Sequence, residues 1–213
     1  MDITLESLGV EGQDVVIYQP FPYNHPGAPV ILCRPNANAT GNNYVVVVSG
    51  VIECSGQFIN LLELLRVATP EDDIRIMLCS PGGNFPASMM LVNSTLACAA
   101  NVTVISTGEA CSAASMWLCL APKGEAQALS HIMFHKTSHG DYGRTDDIVE
   151  RAQSINAFCS YIFDKICQKN LLTKEEYDKL VEEKQDLYFR GSIFNERLKT
   201  PVQNLSTNTN EVM

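Results

Sequence analysis

Three short segments carry residues that could act together on an acyl group. Ser80-Pro81-Gly82-Gly83 follows the apolar run IRIMLC. Two adjacent glycines let a ligand approach the backbone and aim amide N–H groups at it, as an oxyanion hole requires. Gly108-Glu109-Ala110-Cys111-Ser112-Ala113-Ala114-Ser115 follows the run VTVIS. Small residues around a serine at a helix start leave room for a substrate carbonyl, and the helix end supports a developing negative charge. His135 closes HIMFH, and an imidazole titrates where a general base is useful at neutral pH. Each segment also has an ordinary reading: a strand-to-helix turn, a helix cap at Ser112, and a histidine that only packs. The GEACSAAS segment is not the G-x-S-x-G elbow of α/β-hydrolases.

The elements that position these segments alternate. YVVVVSG, from Tyr44, reads as a buried strand, and QFINLLELLRVA (57–68) has helical spacing of Phe58, Leu61, Leu62 and Leu65. The strand 74–79, a helix over 84–99, the strand 102–106, a helix over 112–121 and the strand 131–135 follow in turn. Such alternation predicts an α/β fold with a mainly parallel sheet, and all three segments lie after strand ends, where such sheets form sites. His131, His135 and His139 are four apart, but on a strand and turn that spacing brings no ligands together, so no metal is expected. Beyond a loop at 139–143, helices are expected over about 145–169 and 173–183.

Composition narrows the function classes. The chain has 213 residues, 46% of them hydrophobic, which suits one domain with a sizeable core. Fifteen Lys and Arg are scattered among 24 acidic residues, for a formal net charge of −9, so no basic face for nucleic acid is expected. The eight cysteines form no C-x-x-C pair, and several sit in apolar runs as small buried hydrophobes do. No signal-peptide pattern opens the chain and no apolar stretch is long enough to span a bilayer, so a cytoplasmic protein without a membrane partner is expected. Residues 1–42, rich in Pro, Asn and Gly, read as an irregular arm or cap, 43–198 as the main domain, and 199–213 as a polar tail.

The order and spacing of the motifs resemble the Clp protease proteolytic subunit. SPGG, then a serine in G-x-A-[AC]-S thirty-two residues after Ser80, then a hydrophobic strand ending in histidine, follow that family's order. IMFHKTSHGDYGRTDDIVERA resembles its stretch of catalytic histidine, handle loop and handle helix, and EEKQDLYFRGS its segment bearing the third triad member. The likeness runs from about Gly50 to Val202. It implies a ClpP/crotonase-like spiral of ββα units with a handle helix. It implies a serine endopeptidase with Ser112, His135 and Asp186 as the triad, the Gly83 and Ala113 amides as the oxyanion hole, and no cofactor. It further implies a homo-oligomeric ring of seven subunits, unfolded polypeptide or peptide substrates, and a possible AAA+ unfoldase partner. Ser115, in AASM, is a rival to Ser112, but the spacing from SPGG and to His135 favours Ser112. Ala-Ala-Ser after the nucleophile is closer to bacteriophage variants than to the housekeeping enzymes. Gln185 stands where housekeeping relatives have an Arg that helps join two rings. Two other readings stay open: a catalytically silent ring subunit, and a crotonase-type acyl-CoA enzyme, which would lack the triad.

Overall fold

The computed structural model describes residues 15–21, 25–35, 40–136 and 142–199. Its frame is one mixed sheet of eight strands: β1 (Val16–Ile17), β2 (Val30–Pro35), β3 (Asn42–Ser49), β4 (Asp73–Ser80), β5 (Asn101–Cys111), β6 (Lys123–Ala126), β7 (His131–Phe134) and β8 (Leu187–Arg190). The order is β1-β2-β3-β4-β5-β7-β8, with β6 also paired to β5. β3, β4, β5 and β7 run parallel, and β6 is parallel to β5, whereas β2 and β8 pair antiparallel to their neighbours. Part of the N-terminal stretch read as an arm thus joins the sheet as β1 and β2.

The helices are α1 (Ile59–Val67), entered through a 3-10 turn at Ser55–Phe58, then α2 (Phe85–Ala97), α3 (Ala113–Leu120), α4 (Thr145–Gln168), α5 (Lys174–Val181) and α6 (Gly191–Lys199). The α1 stripe buries Leu61, Leu64 and Leu65 because these recur at the spacing of one helical face. Along β4, Ile74, Ile76 and Leu78 are buried, while Arg75, between them, is exposed. That alternation is the mark of a sheet covered on one face. β3 behaves the same way: Tyr44, Val46 and Val48 are buried but Val47 is 41% exposed. YVVVVSG is therefore not buried on both sides, since β-branched residues suit a strand whether or not its second face is covered.

α3 is enclosed, with every residue from Ala113 to Cys119 buried. Trp117, fully buried, donates its indole N–H to Thr95 Oγ1 at 3.0 Å, and Thr95 in turn donates to the Leu91 carbonyl at 2.7 Å. A side chain of that size contributes roughly 1.5–3 kcal/mol or more by burial alone, and the hydrogen bond removes the cost of hiding its N–H. At the other end of α3, Lys169 Nζ donates to the carbonyls of Cys119 and Ala121, both at 2.8 Å, satisfying groups that a helix C-terminus leaves open. β6, β8 and α6 carry no clear pattern in the sequence. They are short, and tertiary pairing rather than periodicity makes them. Among the described residues no helix is long and apolar enough to cross a membrane.

Candidate active site

The β4–β5 register slips between Leu78 and Ser80, so that Leu78 pairs with Ser106 but Ser80 with Ala110. Gly108 lies in the slip, and a Cβ on it would come 2.8 Å from Cys79 Sγ. The bulge divides the partners of β5: its first half pairs with β6 and its end with β7. Bulges of this kind re-aim the end of a strand, and here the re-aimed end leads into Ser112.

Ser112 sits in the turn from β5 to α3 with φ 55° and ψ −125°. Such a conformation is strained for a residue bearing a Cβ and persists only where its surroundings over-determine it. They do so from three sides. The Ser112 amide donates to the Met133 carbonyl at 2.9 Å, the Ala113 carbonyl accepts from the buried Ser88 hydroxyl at 2.7 Å, and Gly82 fills the space beneath. A Cβ on Gly82, whose φ is +94°, would lie 2.5 Å from the Cys111 carbonyl and 2.8 Å from Ser112 Cβ.

Out of this turn the Ser112 hydroxyl reaches His135, with Oγ 2.6 Å from Nε2. With the proton of a neutral imidazole on Nδ1, Nε2 accepts from the hydroxyl. Ser115 differs in every respect. It is fully buried inside α3 and donates its hydroxyl to the Ser112 carbonyl at 2.6 Å.

Gly82 and Gly83 both have positive φ, and the loop they form is tied to Ile52: the Ile52 amide donates to the Gly82 carbonyl and the Asn84 amide to the Ile52 carbonyl. The Asn84 side chain caps α2 by accepting from the Ala87 amide at 2.9 Å. Among the described residues, the amides of Gly83 and Ala113 donate to no protein acceptor. Ala113 opens α3, where the first amides lack partners within the helix.

Asp186 is not joined to His135. The antiparallel β7–β8 ladder ends at Phe134 opposite Leu187, and one step beyond it come His135, just after β7, and Asp186, just before β8. Yet the exposed Asp186 carboxylate accepts from the Tyr188 hydroxyl at 3.4 Å, and among the described residues no hydrogen bond links it to His135. The negative Asp186 raises the Tyr188 phenol above its ordinary pKa, so the phenol remains a donor. Gln185 donates to Glu183 at 2.9 Å. His139 and Gly140 lie outside the described residues, as do residues 200–213.

Two members of this surrounding carry no motif signal of their own. Tyr188 is visible only as the next same-face residue after Asp186 on β8, and Gly82 is distinguishable from Gly83 only by what it touches. A set of mixed donors, Glu109, Cys111 and His131, lies on the strand pair just before Ser112. Burial first, and then the Glu109 carboxylate, raises the Cys111 thiol above its ordinary pKa.

The profile of the family described as Clp protease matches residues 41–189. Among curated proteins, the chain is 26% identical over 133 residues to the ATP-dependent Clp protease proteolytic subunit 1 of Chlamydia felis. It is equally similar to the ATP-dependent Clp protease proteolytic subunit 2 of Chlamydia pneumoniae. In both cases the match covers 62% of this chain and 64% of the relative, so it spans less than two thirds of those proteins. The profile match runs from just before β3 into β8 and takes in the Ser112 turn, the SPGG loop and His135, and the chain belongs to the Clp protease family.

Proposed function

We propose that this protein is a serine endopeptidase that cleaves peptide bonds through an acyl-enzyme. The observation that carries the reading is the strained Ser112 turn with Oγ 2.6 Å from His135 Nε2. A serine aimed out of a sharp strand-to-helix turn onto an imidazole is the arrangement of an activated nucleophile. In the proposed reaction Ser112 Oγ attacks the scissile carbonyl while its proton passes to His135 Nε2. The amides of Gly83 and Ala113 receive the oxyanion, and His135 returns the proton to the departing amine. Water then repeats the sequence on the ester, with His135 again the base.

Asp186 is proposed to orient His135 from Nδ1. The reading requires it to leave Tyr188 and turn to the neighbouring strand end, a side-chain rotation rather than a change of fold. That Asp186 rests on Tyr188 also gives weight to a second reading, a catalytically silent ring subunit that binds or modulates an active homologue. A fluorophosphonate probe decides between them. The peptidase reading expects stoichiometric labelling of wild-type protein at Ser112 and none of Ser112→Ala, whereas a silent subunit leaves the wild type unlabelled.

The relatives are named as proteolytic subunits of ATP-dependent proteases. By that similarity we assign unfolded polypeptides or peptides as substrates, a homo-oligomeric ring as the working form and an ATP-driven unfoldase as a partner.

A further inference from the structure

We propose that Glu109, Cys111 and His131 form a site for a zinc-like divalent cation beside, and separate from, the Ser112–His135 pair. The inference does not depend on the peptidase reading. Glu109 and His131 are directly paired across the parallel β5–β7 ladder. Cys111 stands two residues beyond Glu109, and side chains two apart on a strand share a face. Three different donor types therefore converge on one spot. Cys111 Sγ is 3.8 Å from His131 Nδ1 and 4.0 Å from Glu109 Oε2, and all three donor atoms lie within 4.8 Å of one another.

A tetrahedral zinc with ordinary bond lengths separates its sulfur from a nitrogen or oxygen ligand by roughly 3.6 Å. Both Cys111 separations exceed that by only a few tenths of an ångström. One thiolate, one imidazole and one carboxylate suit zinc better than magnesium or calcium, which favour oxygen alone. The His131 ring is already held. It stacks on Tyr188 with centroids 5.6 Å apart and planes 10° from parallel, so Nδ1 faces Cys111 before any ion arrives. Cys111 and Glu109 are fixed by the strand, while His131 is exposed, which leaves a fourth position open to water. On binding, the Cys111 thiol proton is released to solvent and the ion takes its place between sulfur, Nδ1 and the carboxylate.

The test is a titration of the full chain with Co(II), a spectroscopic stand-in for zinc, in both wild-type and Ser112→Ala protein. One equivalent should produce a thiolate-to-cobalt charge-transfer band in the near ultraviolet and tetrahedral bands in the visible, and zinc should displace them. Cys111→Ser should abolish the charge-transfer band. Should that variant fail to fold, His131→Gln at its exposed position decides the matter, with a loss of affinity of ~10-fold or more and unchanged circular dichroism. Cys54→Ser, which removes the exposed cysteine, should leave the spectrum intact. Absence of the band in wild type, its persistence in Cys111→Ser, its loss in Cys54→Ser, or unchanged affinity in His131→Gln would each overturn the proposal.

Discussion

Ser112 and Ser115 are one helical turn apart and both follow alanine or cysteine, but their environments give them opposite prospects. Ser112 is held in a backbone conformation that aims its hydroxyl at His135, whereas the Ser115 hydroxyl is spent on the Ser112 carbonyl. If the proposed chemistry holds, Ser112→Ala lowers peptide cleavage on the order of 10⁶-fold. Ser115→Ala should keep most activity and cost about 1 kcal/mol, because the Ser112 carbonyl still accepts from the amides of Ser115 and Met116. Peptide turnover and the mass of the phosphonate-labelled peptide check both, and a label on Ser115 would refute the assignment. Gly82 makes a sharper case, since neither its φ of +94° nor the 2.5 Å approach of the Cys111 carbonyl admits a side chain. Gly82→Ala should therefore lower the urea midpoint and, by shifting the turn, depress labelling of Ser112 more than that of a merely destabilised control.

Among the elements, the junction that aligns β3, β4 and β5 rests on Asp72. Its buried carboxylate accepts from the Asn42 amide at 2.8 Å, the Thr69 amide at 2.7 Å and the Thr69 hydroxyl at 3.0 Å. The Asp72 carbonyl also receives the Asn101 amide at the start of β5. Burial alone would raise this carboxyl's pKa, but the hydrogen bonds from Thr69 and Asn42 together outweigh it and hold the group below its ordinary value. A folded-state pKa below the unfolded one gives stability that is present above the unfolded value and is lost as pH falls through the folded one. Asp72→Asn should thus cost about 1–3 kcal/mol near neutral pH, and its deficit should shrink below about pH 4. Urea melts of both proteins between neutral pH and acid test this; a deficit that stays constant over that range would show that the charge contributes nothing.

At the scale of the whole molecule, the β2–β3 end of the sheet leaves apolar side chains exposed on one face. Val30 and Val47, direct neighbours across β2 and β3, are 51% and 41% exposed. On α4, Val149, Phe158 and Tyr161 are also exposed. Exposed apolar side chains at these two places are what a neighbouring subunit would cover if the proposed ring forms. Light scattering at micromolar concentration should return a mass near seven subunits or a multiple of it, and Val47→Lys should shift it toward the monomer without lowering helix content. A monomeric mass for the wild type would refute the ring. The exposed Asp186 adds a consequence at this scale: if ring formation is what turns it from Tyr188 to His135, labelling rate should rise with the assembled fraction.

The central alternation of β3, α1, β4, α2, β5, α3 and β7 and the three candidate segments were legible from residue types and spacing, because local periodicity and glycine or proline punctuation are written in consecutive residues. The likeness of SPGG, GEACSAAS and HIMFH to one family was legible for the same reason. Other features were decided only by tertiary contact. The second face of β3 is partly open, although its Val45–Val48 run is uniformly β-branched, because coverage depends on what packs against it. The Ser112 turn is strained because Met133, Ser88 and Gly82, distant in the chain, brace it together. Glu109, Cys111 and His131 meet because β5 and β7 pair in one particular register, and no spacing along the chain specifies a register between strands joined by a helix and a short strand. Asp186 comes opposite His135 through the separate β7–β8 pairing, while its actual partner, Tyr188, is set by which same-face neighbour its carboxylate reaches.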